Sequence, residues 1–206
     1  MSRQEFHRAY EQAPPEYRAE LIAGVVHEPS PVSYSHGTFD SLLGTIIGLY
    51  VGNTPGVSQA HNASVFLSDE DEVQPDIMLL IEPSCKGQSK RTEDDYVEGA
   101  PELVAEIALS SQAIDLGLKK KRYAMFGVLE YIVVCVRPRR IQWFDLPSGR
   151  TLAADSNGIL QSVVFPGLWI NRRALLELDY QGCMRTVEQG LQTKAHEEFV
   201  LKLASA

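Results

Sequence analysis

The run LEYIVVCV, Leu129 to Val136, limits this chain's folding options more than any other stretch. Its apolar residues do not alternate with polar ones, so a strand built from it must be covered on both faces. Such a strand belongs at the centre of a sheet with a packed layer on each side. The segment before it, QAIDLGLKKKRYAMFG, has a helical pattern, with Gly127 placed to cap the C-terminus. Around this pair the chain reads as helix, several strands, helix, strand and further strands. That order defines an α/β or α+β protein with a central mixed sheet flanked by helices.

The remaining segments fit that frame. Arg3 to Gln12 predicts a short helix stopped by APPE, because two prolines cannot continue it. AELIAGVVHEP reads as a strand, or as a hairpin turning near Ala23 and Gly24. Phe39, Leu42, Leu43, Ile46, Ile47 and Tyr50 recur at three- and four-residue steps and predict a long helix over Thr38 to Val51. VSQAHNASVFL and PDIMLLI read as strands separated by an acidic turn, SDEDE. ELVAEIAL reads as another strand, expected in the same sheet as PDIMLLI. Between them, EPSCKGQSKRTEDDYVEGAP is long for a loop in a compact domain. IQWFDL and SVVFPGLWI supply the last β signals, and a helix follows near Arg172 to Leu178. Thr186 to Leu203 is helical in pattern and polar enough to lie on the surface or meet a partner. The expected organisation is one domain over residues 1–180 and a C-terminal helical tail over 181–206.

At 206 residues the chain is long enough for one domain with a real core. No apolar run approaches the roughly 20 residues that cross a bilayer. The first residues, MSRQEFHRAYEQAPPEY, lack the apolar centre of a secretory signal. Cys85, Cys135 and Cys183 are scattered and show no metal-ligand spacing, which points to a reducing, cytoplasmic setting. The formal net charge of −8 argues against coating nucleic acid by bulk electrostatics, yet leaves room for local contacts. The basic clusters KGQSKR, KKKR and RPRR are either solvated surface or such contacts. Gly-rich loops of the dinucleotide or P-loop type are absent.

Three residues stand out chemically. Asp76 opens the otherwise apolar strand PDIMLLI; it is either a turn residue or a group held at the core edge to grip a metal. Glu106 lies in the middle of ELVAEIAL, on the face shared with Val104 and Ala108. An exposed sheet face would carry it without function; a buried one would need a partner. Glu102 shares that face but lies about 13 Å away, too far to share an ion with Glu106 unless the backbone bends. In the following helix, Leu116, Lys119, Tyr123 and Phe126 fall on one stripe. Lys119 therefore either snorkels outward or points at an acidic site. Two carboxylates suit Mg²⁺, which takes few protein ligands and keeps water and phosphate in its shell. A lysine near them would stabilise charge developing on a phosphodiester.

QPDIMLLIEP, GAPELVAEIALSS and DLGLKKKRYAMFGVLEYIVV, in that order, resemble the "putative restriction endonuclease" family, formerly a domain of unknown function, of the PD-(D/E)XK nuclease superfamily. The resemblance runs from AELIAG, about Glu20, to about Leu178. It implies a restriction-endonuclease-like core and a metal-dependent phosphodiesterase site using Mg²⁺ or Mn²⁺. Its first acid falls on Asp76, after Pro75, and its second on Glu106. Ala108 stands where the superfamily's lysine would be. The resemblance instead implies a lysine from the next helix in a K-x-x-x-Y pattern, here Lys119 with Tyr123. It also implies the carbonyl of Ile107 as a metal ligand alongside Asp76 and Glu106, an N-terminal acid at Glu20, and a histidine at His36, which read alone is a helix-start residue rather than a ligand.

The function expected is therefore metal-dependent endonucleolytic hydrolysis of DNA, with a homodimer compatible with double-strand cleavage. The alternative is an inactive nuclease-fold protein serving as a nucleic-acid-binding or interaction module. A third reading is an unrelated binding protein that uses the long loop.

Overall fold

The computed structural model describes residues 1–206. Helix α1 (Arg3–Glu11) precedes a hairpin of β1 (Glu20–Ile22) and β2 (Val25–His27), then the long helix α2 (Tyr34–Gly52). Strands β3 (Val57–His61), β4 (Val65–Ser68), β5 (Asp71–Val73) and β6 (Ile77–Ile81) follow, then the short β7 (Lys90–Arg91) and β8 (Val97–Glu98), and β9 (Leu103–Ala108). A helical stretch comes in three parts: α3 (Gln112–Ile114), a π-helical turn (Asp115–Lys119) and α4 (Lys120–Phe126). The rest is β10 (Glu130–Cys135), β11 (Arg140–Asp145), β12 (Arg150–Thr151), β13 (Ile159–Gln161), β14 (Trp169–Asn171), α5 (Arg172–Glu177), α6 (Tyr180–Leu191) and α7 (Lys194–Ala204).

The central sheet has the order β12-β11-β10-β9-β6-β3. It is mixed: β10 runs parallel to β9, while β6 and β11 run antiparallel to their inner neighbours. Every residue of β9 and β10 is buried, as a run without polar alternation requires. Leu42, Ile46 and Ile47 of α2 cover one face, against Leu79, Leu103 and Ile132. Tyr123 of α4 lies on the other, with Met78, Val104 and Val133. The two helices thus sit on opposite faces of the central sheet and cover the apolar β10 on both sides. Helix α2 starts at Tyr34, ahead of the expected Thr38, because Ser33 caps it by accepting from His36 N–H at 3.2 Å.

A second sheet, β2-β1-β5-β4-β8-β7, was not legible as such. Its residues Ile22, Val65, Val73 and Val97 pack into the α4-side core. VSQAHNASVFL, expected as a strand, is two strands serving different sheets, and the chain turns between them at Asn62, whose φ is +51°. Part of the expected acidic turn is buried strand: Asp71 and Glu72 are fully covered in β5. Arg122 from α4 grips Asp71, and His7 from α1 meets Glu72 at 3.0 Å. The C-terminal helices also do more than coat the surface. Cys183 and Val187 of α6 and Phe199 and Leu203 of α7 join the α2-side core. No helix is long and apolar enough to cross a membrane.

Candidate active site

Strands β6 and β9 pair through Leu79–Leu103, Met78–Val104 and Ile77–Ala105. One step further, the register places Asp76 across from Glu106. The ladder stops there for a chemical reason. Pro75 has no N–H to offer β9, and its carbonyl accepts instead from Asn62 N–H at 3.1 Å. Ile107 N–H is left without a main-chain partner and donates to Asp76 Oδ2 at 2.7 Å. In a strand, one residue's N–H and C=O point to the same side. The even-numbered carbonyls of Glu102 and Ala108 accept from the β10 side, so Ile107 directs both its groups to the β6 side. His36, in the first turn of α2, lies 3.2 Å from the same Asp76 oxygen through Nε2. That hydrogen bond raises the imidazole pKa against the opposing effect of burial.

Glu106 is 5 % exposed and faces α4 from the middle of β9. Its Oε1 accepts from Lys119 Nζ at 2.8 Å and from Tyr123 O–H at 2.9 Å. Lys119 and Tyr123 are four residues apart and share a helix face. Lys119 Nζ also lies 2.9 Å from Glu20 Oε2, and Glu20 Oε1 in turn accepts from Gln74 N–H at 2.7 Å. One buried ammonium thus ties β1 and β9 to the π-helical turn that leads into α4. Burial pushes the Glu106 carboxyl well above the usual range; Lys119 opposes this, while Asp76, Asp115 and Glu20 reinforce it. Burial acts against the charge on Lys119, yet Glu106, Glu20 and Asp115 outweigh it and hold its pKa well above the ordinary value.

These groups line one cavity of about 520 Å³, with Glu20, His36, Asp76, Glu106, Asp115 and Lys119 in its wall. Ile107 lines it too. No three His, Cys, Asp or Glu side chains form a ready-made metal cage. What the cavity does offer is two carboxylates facing each other across a ladder end, and a main-chain carbonyl released by Pro75. Asp76 Oδ1 and Glu106 Oε2 have no hydrogen-bond partner in the protein. An all-oxygen set with few protein ligands fits Mg²⁺ or Mn²⁺ better than zinc.

The other charged residues of the neighbourhood divide clearly. The run KKKR is not a basic patch. Lys119 is buried, Lys120 sits 3.6 Å over the Phe144 ring, Lys121 is exposed and Arg122 binds Asp71. Glu102 turns away from the cavity and accepts from Ile81 and Gln88 N–H at 2.9 and 2.8 Å. Asp115 escaped the sequence reading, although it lies four residues before Lys119 and so on the same helix face. It is 3 % exposed, and burial raises its pKa against the pull of Lys119. A second pair, Asp40 and His61 at 3.6 Å, also went unseen, since it joins α2 to β3. Gly44 makes room for it: a Cβ there would stand 2.6 Å from His61 Cε1.

A family model described as Uma2, "Putative restriction endonuclease", matches residues 3–175. The chain belongs to this family. Among solved structures, one from Anabaena variabilis ATCC 29413, described as a putative nuclease belonging to DUF820, superposes with a TM-score of 0.65. It is 16 % identical, with 82 % of this chain and 95 % of that chain covered. At that identity the likeness is one of fold. No curated protein matches. The restriction-endonuclease-like fold expected from PDIMLLI, ELVAEIAL and the helix after them is thus shown by both the family match and the structural neighbour. The Uma2 match stops at residue 175, within α5, so α6 and α7 lie beyond it.

Proposed function

We propose that this chain is a metal-dependent endonuclease that hydrolyses DNA phosphodiester bonds in the cavity bounded by Asp76, β9, β1 and the π-helical turn Asp115–Lys119. One observation carries the reading: Asp76 stands opposite Glu106 at a ladder end, with Ile107 between them held to Asp76 at 2.7 Å. Asp76, Glu106 and the Ile107 carbonyl would hold Mg²⁺ or Mn²⁺. When bound, such an ion neutralises phosphate charge and lowers the pKa of a water.

The chain's own groups have separable tasks. His36 and Ile107 N–H fix the Asp76 carboxylate from two directions. Tyr123 and Lys119 fix Glu106 through Oε1 alone, which leaves Oε2 for the cavity. Lys119 is held protonated, so it serves as a cation and donor, not as a general base. An ammonium has three protons, and Glu106 and Glu20 engage two. The third is available to a phosphate oxygen or an attacking water. Ala108 offers no such charge.

A second reading has its own observation. Lys119 and Tyr123 already satisfy Glu106 Oε1, as they would for a purely structural carboxylate. On that reading the chain binds nucleic acid without cutting it. Titration calorimetry with Mn²⁺ and Mg²⁺ on wild type and Asp76→Ala separates the two. The nuclease reading expects heat from wild type only, with plasmid nicking that chelator abolishes. Absence of metal binding to either protein sinks it.

A further inference from the structure

Resting on that reading, we propose that the turn Arg137-Pro138-Arg139-Arg140, together with Tyr34, is the seat of a single nucleic-acid strand beside the carboxylate cavity. The turn joins β10 to β11 and is exposed throughout. Other surface cations, such as Arg172, Arg185 and Lys202, also lack a carboxylate partner, but this turn gathers three unpaired arginines within four residues. Lys90, Arg91, Arg150, Arg173 and Lys194 each have a carboxylate within reach, at 3.1, 3.8, 3.5, 2.9 and 3.3 Å. Arg137, Arg139 and Arg140 have none; their polar contacts are neutral. Arg139 donates to the Leu176 carbonyl at 3.0 Å, and Arg140 Nε approaches Cys135 Sγ at 3.5 Å. Three like charges on one short turn repel one another. In a protein of net charge −8 they also mark a place where a polyanion is attracted.

Position supplies the second argument. Arg137 and Arg139 line a cavity of about 370 Å³ with Tyr34, Ser35, Thr38 and Phe39 of α2. Ser33 and His36, from the same turn of that helix, line the carboxylate cavity. Gln112, next to Ser111 on the rim of that cavity, donates to the Arg137 carbonyl. The two hollows therefore adjoin across the start of α2. Tyr34 lines the smaller hollow and is 88 % exposed, an unusual cost for an aromatic ring left open to water. A base has a face to stack on such a ring, and a strand's phosphates match the arginines. A folded acidic protein would use the charges but leave the ring unexplained.

The test is binding, read by fluorescence anisotropy of a short labelled single-stranded oligonucleotide in chelator, so that neither metal nor cleavage enters. Arg137→Gln/Arg139→Gln should weaken binding about tenfold and make the log affinity–log salt slope shallower by about 0.7 per arginine. Tyr34→Ala should weaken single-strand binding roughly fivefold or more and leave duplex binding unchanged. Lys90→Gln, on the second sheet, should change neither. Unchanged affinity in the double arginine variant overturns the proposal. So does displacement of the oligonucleotide by polyglutamate as readily as by unlabelled oligonucleotide, which would mark a generic anion patch. Binding lost in these variants from a chain that never cleaves would sink the nuclease reading and keep this one. Cleavage with unaltered binding would do the reverse.

Discussion

Asp76 accepts the main-chain N–H of Ile107 at 2.7 Å, in the place the Pro75 carbonyl would take if it did not accept from Asn62 N–H. The carboxylate thus has a structural task and a charge to spare, and the two can be separated. Asp76→Asn keeps an oxygen for Ile107 and removes the charge. We expect loss of metal-dependent cleavage by roughly 10²-fold or more, the scale of one missing preorganised electrostatic contact, with the unfolding midpoint little changed. Asp76→Ala also orphans the Ile107 N–H and should cost about 1–3 kcal/mol more in stability. Full activity in Asp76→Asn would reduce Asp76 to a ladder cap.

Lys119 lies 2.8 Å from Glu106 and 2.9 Å from Glu20, so its removal leaves two carboxylates facing each other in a buried site. Lys119→Met should lower turnover by roughly 10²- to 10³-fold. It should also cost about 3–5 kcal/mol in stability, the usual result of stripping one partner from a buried ion pair. Adding Glu20→Gln should return part of the stability and none of the turnover. Lys121→Met, at an exposed position, should leave both near wild type. Urea unfolding alongside turnover checks this, and equal losses for Lys119→Met and Lys121→Met would refute the assignment.

Glu102, immediately before β9, and Glu106, within it, do different work. Glu102 accepts from Ile81 and Gln88 and so anchors the long loop after β6. Glu102→Gln replaces one acceptor oxygen by a donor, so it can satisfy only one of these N–H groups. Amide exchange at Ile81 or Gln88 should speed up while metal binding persists. Glu106→Gln should do the opposite. Loss of metal binding in Glu102→Gln would show that Glu102 reaches the cavity.

The parts of this picture that were legible in the sequence are those that local periodicity controls. The period-2 pattern of ELVAEIAL puts Glu106 on the face of Val104 and Ala108, which is where it lies. The helical stripe picks Lys119 from three adjacent lysines because Tyr123 is four residues on, and the π-turn before α4 does not disturb that pair. Long-range pairing was hidden. Strands of two to four residues are too short to show a period, so the second sheet could not be seen. Asp71 and Glu72 read as a polar turn because their partners, Arg122 and His7, are far along the chain. Glu20 shows nothing locally that marks it; the family resemblance alone pointed to it, and the structure places it on Lys119.

Glu130 offers a pH test independent of the cavity. Its carboxylate is fully buried and accepts from Ser162 O–H at 2.6 Å and Val163 N–H at 2.7 Å. Burial nevertheless wins and raises its pKa from 4.5 to about 6. The folded protein then keeps this proton at pH values where the unfolded chain has lost it. The sign follows from linkage: where the native state binds more protons, stability falls as pH rises. The fall begins near the unfolded value of 4.5 and is complete above about 6. Its size is about 2 kcal/mol, from 1.36 kcal/mol per pKa unit. Glu130→Gln cannot titrate. Other buried acids give both proteins a common pH dependence, so the informative quantity is the difference between the two stability curves. That difference should shift in favour of Glu130→Gln by about 2 kcal/mol between pH 4.5 and 6 and stay flat above. Urea midpoints across that range measure it, and a difference that does not change with pH would mean that Glu130 stays ionised inside the fold.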